Sequence, residues 1–458
     1  MAKRQLPAGM ENPPEAQSSF AEKMIVETRE YKLITPLFGG GVEPNTPDPV
    51  TIIRATEIRG HLRFWWRATR GGQFKSVAQL KQAEDLIWGT ASKKGYERPS
   101  LIQIDVICDD NKKIDKISTI GREKFGSIRS PINYADFPLR DKDAELVQQI
   151  EFKVSFQYPS KLPEHYTSIL KFNVDIKSEL HSALKAWEYL GGLGARTRRG
   201  FGSILCKTYQ PSIRDIKEYL SQFMNIEQKC TILEGITSLN LQSNSFCILT
   251  EGSFNKYLTS EEKYPVTGFT PSLNMWKFLL DILKEFRHDR SLVRKNISGG
   301  TKLIPGRNNW PEPDALREIT KQKADYTDTY GNIHDHTNPN IHLDGRSLMK
   351  FPRAVFGLPI IFQFKDNGDP PQITLKAHGS NRWASPIILR VIKCTDGVIG
   401  LVLRLRQPEI DSETLELDKY PTMQIEHTLE AQEAVLIPRL NGNTDVLDAF
   451  MNYVRSKQ

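Results

Sequence analysis

Apolar residues recur at two spacings along this chain, and the spacing assigns the elements. Met24–Leu33 (MIVETREYKL) and Ile150–Tyr158 (IEFKVSFQY) alternate, as a strand with one covered face does. Ser100–Ile107 (SLIQIDVI), Leu170–Val174 and Phe201–Tyr209 read as further strands. Between them the period lengthens. Ile58, Leu62, Trp65 and Thr69 fall on one helical face, as do Leu184, Trp187 and Leu190. Leu80–Ile87 extends the helical character. Strands alternating with two helices predict an α+β domain, ferredoxin-like and RRM-related, which presents a sheet and loops to single-stranded nucleic acid.

A second unit begins near Asn244. Its strands are SFCILT (Ser245–Thr250) and LVLRLR (Leu401–Arg406), and its helices are Leu273–Arg287 and Val446–Val454. Periodicity alone makes it α+β. Thr301–Phe351 is polar and rich in Asn, Asp, His and Pro, so it reads as a long insertion of the kind that is functional or disordered. The predicted division is a loose tail over 1–22, an N-terminal domain over 23–215 and a C-terminal domain over 216–458. No repeat of fixed period is visible.

The helix Glu57–Arg70 carries the first candidate chemistry. Arg59, Arg63, Arg67 and Arg70 form a basic stripe roughly 16 Å long at 1.5 Å per residue. Its one acid, Glu57, precedes the stripe, and Trp66 borders it. Four neighbouring guanidiniums repel, so phosphates explain the array better than stability does. A solvated surface helix is the plain alternative, although such helices alternate charge sign. Trp65 or Trp66 supplies a stacking face, with Trp65 the more readily read as core.

The second candidate is Leu190–Ser203 (LGGLGARTRRGFGS), a glycine-rich loop between a helix and a strand. Glycines let backbone N–H groups converge on an anion, and Arg196, Arg198 and Arg199 add charge. A P-loop and a dinucleotide fingerprint both need strand, loop and helix in that order, and here the order is reversed. A helix C-cap accounts for Gly191 but not for three arginines in four positions. The loop therefore reads as a polyanion site.

These segments carry a resemblance. IRGHLRFWWRA (Ile58–Ala68) followed by GGLGARTRRGFGS (Gly191–Ser203) resembles the RAMP superfamily of CRISPR effector proteins, and within it the first RAMP subunit of type III-B Cmr complexes. TPLFGGG (Thr35–Gly41), IWGTAS (Ile87–Ser92), GLPIIFQF (Gly357–Phe364) and RWASPIILRVI (Arg382–Ile392) lie, with these two, in the family's order. Residues 210–296 and those after Leu405 match no motif. The resemblance implies tandem ferredoxin-like domains with long insertions. It implies a cytoplasmic RNA-binding subunit that meets guide RNA near its 3′ end, complementary target RNA and neighbouring RAMP subunits. The expected RNA contacts on the helix are Arg54, Arg59, Arg63, Trp66, Arg67 and Arg70. Those on the loop are Gly191, Gly192, Gly194, Arg196, Arg198, Arg199 and Gly200.

Composition changes little. The 458 residues carry a formal net charge of +7 and a pI near 8.9, which suits a local anionic site. Five scattered cysteines form no Cys-x-x-Cys pair, so neither zinc nor a disulfide framework is signalled, in keeping with a reducing cytoplasm. No signal peptide and no apolar run of roughly 20 residues appears, so no membrane partner is expected. His334, His336 and His342 with Asp335 and Asp344 read first as a solvated loop and second as a zinc or manganese site. His61 reads as a partly buried histidine away from the stripe rather than as a general base. No catalysis, cofactor or metal is expected. The alternatives are an endoribonuclease that processes guide precursors and a protein-only scaffold.

Overall fold

The computed structural model describes residues 24–458 apart from 42–45, 49, 91–97, 110–112, 117–144, 163–173, 225–235, 261–269, 298–299, 328–332, 336–337, 365–366, 379–381 and 411–414. The first unit runs β1 (Met24–Leu33), α1 (Ala55–Arg70), α2 (Val77–Trp88), β2 (Gln103–Cys108), β3 (Glu151–Pro159), α3 (Ile176–Leu190) and β4 (Ile204–Cys206). Its sheet order is β2-β3-β1-β4, with every pair antiparallel. Two interleaved β-α-β units give this order, and it defines the ferredoxin-like topology. Alternation along β1 turns Arg29, Tyr31 and Leu33 inward, and opposite them β3 turns in Phe152, Val154 and Phe156. The Tyr31 and Phe152 rings, register partners, stack with centroids 5.2 Å apart.

The second unit runs β5 (Phe246–Leu249), α4 (Pro271–Arg287), β6 (Arg290–Ile297), β7 (Gly300–Asn308), β8 (Ile387–Cys394), β9 (Gly397–Arg404) and α5 (Val446–Arg455). Its sheet order is β8-β9-β5. The order of strands and helices repeats that of the first unit, without a fourth strand among the described residues. β8 and β9 are buried along nearly their whole length, so their sequences are continuous apolar runs rather than alternating ones. One face packs Leu389, Val391 and Val402 against α4 and α5. The other places Ile388, Ile392, Ile399 and Leu401 in the core of the first unit. The second sheet is thus the middle layer that joins the two units.

Several expectations change. The proposed strand Leu170–Val174 lies almost wholly outside the described residues. Phe201–Tyr209 is strand only over Ile204–Cys206, because Gly200 and Gly202 take positive φ and turn the chain before it. The polar stretch 301–351 is not one loop. It holds most of β7, a helix at Glu312–Thr320 and short strand pairs. Ala315, Leu316 and Phe351 from this stretch join a third core with the sheet Ile360–Phe362, Ile373–Ala377 and Leu415–Leu417. Among the described residues no helix is long and apolar enough to cross a membrane, and no cluster of three His, Cys, Asp or Glu is placed to hold a metal. His336 lies outside the described residues.

Candidate nucleic-acid interface

The outer face of the first sheet is not a base-stacking platform. β1 presents Val26, Thr28, Glu30 and Lys32 there, β3 presents Lys153 and Ser155, and β2 presents Gln103, Asp105 and Ile107. Among these residues none is aromatic, and the lysines are paired with glutamates. Lys153 meets Glu30 at 2.7 Å, and Lys32 meets Glu151 at 2.9 Å.

α1 forms where its pattern places it, with Ile58, Leu62, Trp65 and Trp66 buried against the first core. The basic stripe does not face open solvent. Glu84 of α2 is buried and accepts from Arg63 Nε at 2.8 Å and from Arg67. Glu179 of α3 is buried and takes a bidentate pair from Arg70, with Nε at 3.0 Å and Nη2 at 2.6 Å. Trp66 is fully buried, and its indole N–H donates to the same carboxylate at 2.6 Å. It offers no face to a base, which corrects the stacking expectation. Most of the stripe thus neutralises carboxylates that the fold has buried, because a buried carboxylate requires a cation or several donors.

Charge nonetheless remains. Arg63 and Arg67 share one carboxylate. Among the described residues Arg54 and Arg59 form no ion pair, and the Nε of each is shielded from solvent without an acceptor; Arg54 stands near Asp48, whose carboxyl is held below its ordinary value by the backbone N–H groups of Thr51 and Val50 and by this guanidinium. These two guanidiniums put positive charge at the start of the helix that no ion pair among the described residues takes up.

The loop departs further from expectation. Its backbone N–H groups do not converge on an empty anion site. Gly191 N donates to Trp187 O, Ala195 N to Phe38 O, Gly200 N to Thr197 O and Gly202 N to Pro36 O. Gly194 N donates to Glu57, so a carboxylate of the chain itself sits where the anion was expected. The glycines serve close packing. A Cβ on Gly191 would lie 2.5 Å from Trp65 Nε1, and one on Gly200, at φ +79°, would lie 2.6 Å from Trp276 Cδ1. Gly192 is buried against the backbone of Gly202.

The loop arginines clasp the second unit. Arg198 donates to Ser385 O and, at 3.3 Å, to Gln407, and its guanidinium lies over the Phe64 ring. Burial lowers its pKa. Arg199 donates to Phe356 O at 3.2 Å and Ser385 Oγ at 3.3 Å. Leu389 N donates to Arg198 O, which docks the loop on the edge of β8. Arg196 stands at φ 59° and is half-buried. Arg198 and Arg199 are thus the seam between the units, and carbonyls occupy the donors that phosphates were expected to meet.

Sequence reasoning missed Arg390. It is fully buried in β8, and its Nη2 donates to Glu188 O at 2.9 Å and Ile204 O at 3.1 Å. Burial without a carboxylate lowers its pKa to about 9. Its cation meets one carbonyl of the last turn of α3, that of Glu188, where positive charge is favoured. The signal was an arginine inside the apolar run IILRVI. His61 is a quarter exposed, with Nε2 3.6 Å from Glu57 Oε1, on the edge of α1 that faces the loop.

Residues 30–205 match the model of the RAMP superfamily. Among solved structures the chain is similar to Cmr1 from Pyrococcus furiosus in its apo form, at 18% identity over 86% of this chain and 94% of that one, with a TM-score of 0.42. It is also similar to a chain of the type III-B Cmr-beta complex bound to cognate target RNA, at 11% identity over 94% of this chain and 100% of that one, TM-score 0.40. A chain of the same complex with cognate target RNA and AMPPnP, in the presence of ssDNA, gives 12% identity over 95% and 99%, TM-score 0.38. A comparison with curated proteins gives no match.

Proposed function

We propose that this chain is a non-catalytic RNA-binding subunit of a cytoplasmic type III-B CRISPR effector complex. It would grip sugar-phosphate near the guide 3′ end, aid capture of target RNA and pack against other RAMP subunits. The observation that carries the RNA reading is the pair Arg54 and Arg59, cations of the segment that matches the RAMP model, which form no ion pair among the described residues. Arg63, Arg67 and Arg70 hold this edge rigid by pinning α1 to α2 and α3. They remain about a third exposed, so they add to the field without being its free donors. Phosphate contact of this kind positions RNA without reading sequence, which base pairing with the guide would supply.

The test is a gel shift of the full chain with labelled single-stranded RNA in EDTA. Retarded but intact RNA is the expected result. Discrete cleavage would replace this reading with the endoribonuclease. No shift, with partner assembly retained in the absence of RNA, would replace it with the protein scaffold.

A further inference from the structure

Among the residues whose side chains are described, Tyr209 is the only Phe, Trp or Tyr that stands exposed, at 54%. It sits in the turn after β4, at the edge of the first sheet rather than on its outer face. The turn is held at both ends. Lys207 N donates to Glu30 O at 2.7 Å, and Glu30 N to Thr208 Oγ1 at 2.9 Å, which ties its start to β1. Thr395 N donates to Pro211 O at 2.9 Å, which ties its end to the turn between β8 and β9.

One side of the ring is taken. The guanidinium of Arg29 lies 4.6 Å from its centroid. Arg29 is buried and fixed in turn by Glu188, at 2.9 and 3.1 Å. Tyr209 also lines a half-open cleft where α3, β4 and β8 meet, with Tyr189, Pro211 and Lys393 among its walls. The carboxylate at this cleft, Glu188, is spent on Arg29 and on the Tyr31 hydroxyl, which donates to it at 2.8 Å. Lys393 is exposed and forms no ion pair among the described residues. An exposed ring on a fixed turn beside an unpaired cation has the makings of a single-strand site, where a base stacks and a cation follows the backbone.

We propose that Tyr209 stacks an unpaired RNA base at the mouth of this cleft, with Lys393 on an adjoining phosphate. This rests on the RNA reading above but places a base contact at the junction of the units, apart from Arg54 and Arg59. The competing account makes the ring a lid that shields Arg29 from water. Leucine separates the two, because it covers Arg29 but offers no π-face to a base.

The experiment titrates the full chain, Tyr209→Leu and Lys393→Ala with labelled single-stranded RNA at several salt concentrations, with thermal melts to confirm folding. Tyr209→Leu should lose affinity by about fivefold to hundredfold, the scale of one stacked base. Its slope of log affinity against log salt should not change, because stacking releases no counterions. Lys393→Ala should make that slope shallower by ~0.7, one single-strand phosphate contact. Tyr209→Phe, which keeps the ring, should restore the affinity that leucine loses. If Tyr209→Leu unfolds, photocrosslinking of the parent chain to RNA carrying 5-iodouridine decides instead. A crosslink mapped to Tyr209 by peptide mass spectrometry supports the stack, and crosslinks mapped only elsewhere overturn it. Unchanged affinity in a folded Tyr209→Leu variant, with the parent binding RNA, also overturns the stack and leaves the RNA reading standing. A parent chain that binds no RNA overturns both.

Discussion

Replacing Arg198 and Arg199 together by alanine should loosen the molecule rather than merely weaken its grip on RNA. Arg198 donates to Ser385 O and Gln407, and Arg199 to Phe356 O and Ser385 Oγ, all in the second unit. A hydrogen bond from a charged group contributes about 1.5–3 kcal/mol. Both side chains are partly exposed, so the lower end applies to each. Backbone docking at Leu389 survives the change and limits the loss. The double variant should therefore cost about 3 kcal/mol, with neighbours in one seam not strictly additive. Urea unfolding followed by tryptophan fluorescence measures it, because Trp276, whose indole N–H donates to Arg199 O at 2.8 Å, reports on this seam. Hydrogen exchange should quicken at Ile387–Leu389 well before the first-unit core opens. Wild-type unfolding with a large loss of RNA affinity would show that these arginines face phosphate after all.

Gly191→Ala should destabilise by several kcal/mol on the scale of an overpacked core, about 1–3 or more, since its Cβ would lie 2.5 Å from Trp65 Nε1; a melting temperature within a degree of the parent would refute the close approach. Burial pushes the thiols of Cys206 and Cys394 up to about 12 and that of Cys247 to about 11, so all three should resist iodoacetamide at pH 8 until the chain unfolds, as peptide mass mapping would report. Burial alone would raise the pKa of Glu27, but hydrogen bonds from His181 and Arg29 outweigh it and hold the carboxyl below its ordinary value. Its contribution to stability is present above the unfolded value, about 4.3, and is lost as pH falls through the folded value. Glu27→Gln should therefore flatten the loss of stability below pH 4, and an unchanged acid limb would contradict the pairing.

What was legible in the sequence was whatever periodicity reports. Alternation placed β1 and β3, and helical spacing placed α1 and α3, because each pattern records which side a residue buries. The use of the arginines was not legible, because their partners arrive through the fold. Glu84 and Glu179 lie 21 residues from Arg63 and 109 from Arg70. A trace was nevertheless present. Glu84 sits among Leu80, Ala83 and Ile87 on the apolar face of α2, and Glu179 between Ile176 and Ala183 on that of α3. An acid on an apolar face calls for a cation elsewhere in the chain. The glycine loop misled for a related reason, since its spacing is equally that of a chain squeezed between Trp65, Trp276 and Phe38. Only the tertiary structure says that those surfaces are there.

The most direct test of the account divides the arginines of α1 by their partners. Full-length Arg54→Ala/Arg59→Ala and Arg63→Ala/Arg67→Ala variants would each be titrated with single-stranded RNA across a salt series, alongside urea unfolding. The Arg54/Arg59 variant should keep its stability and lose about 1.4 from the salt slope, ~0.7 for each contact. The Arg63/Arg67 variant should lose stability first, because Glu84 is left buried without its cations. The reverse outcome, full RNA binding without Arg54 and Arg59 and lost binding at unchanged stability without Arg63 and Arg67, would contradict it.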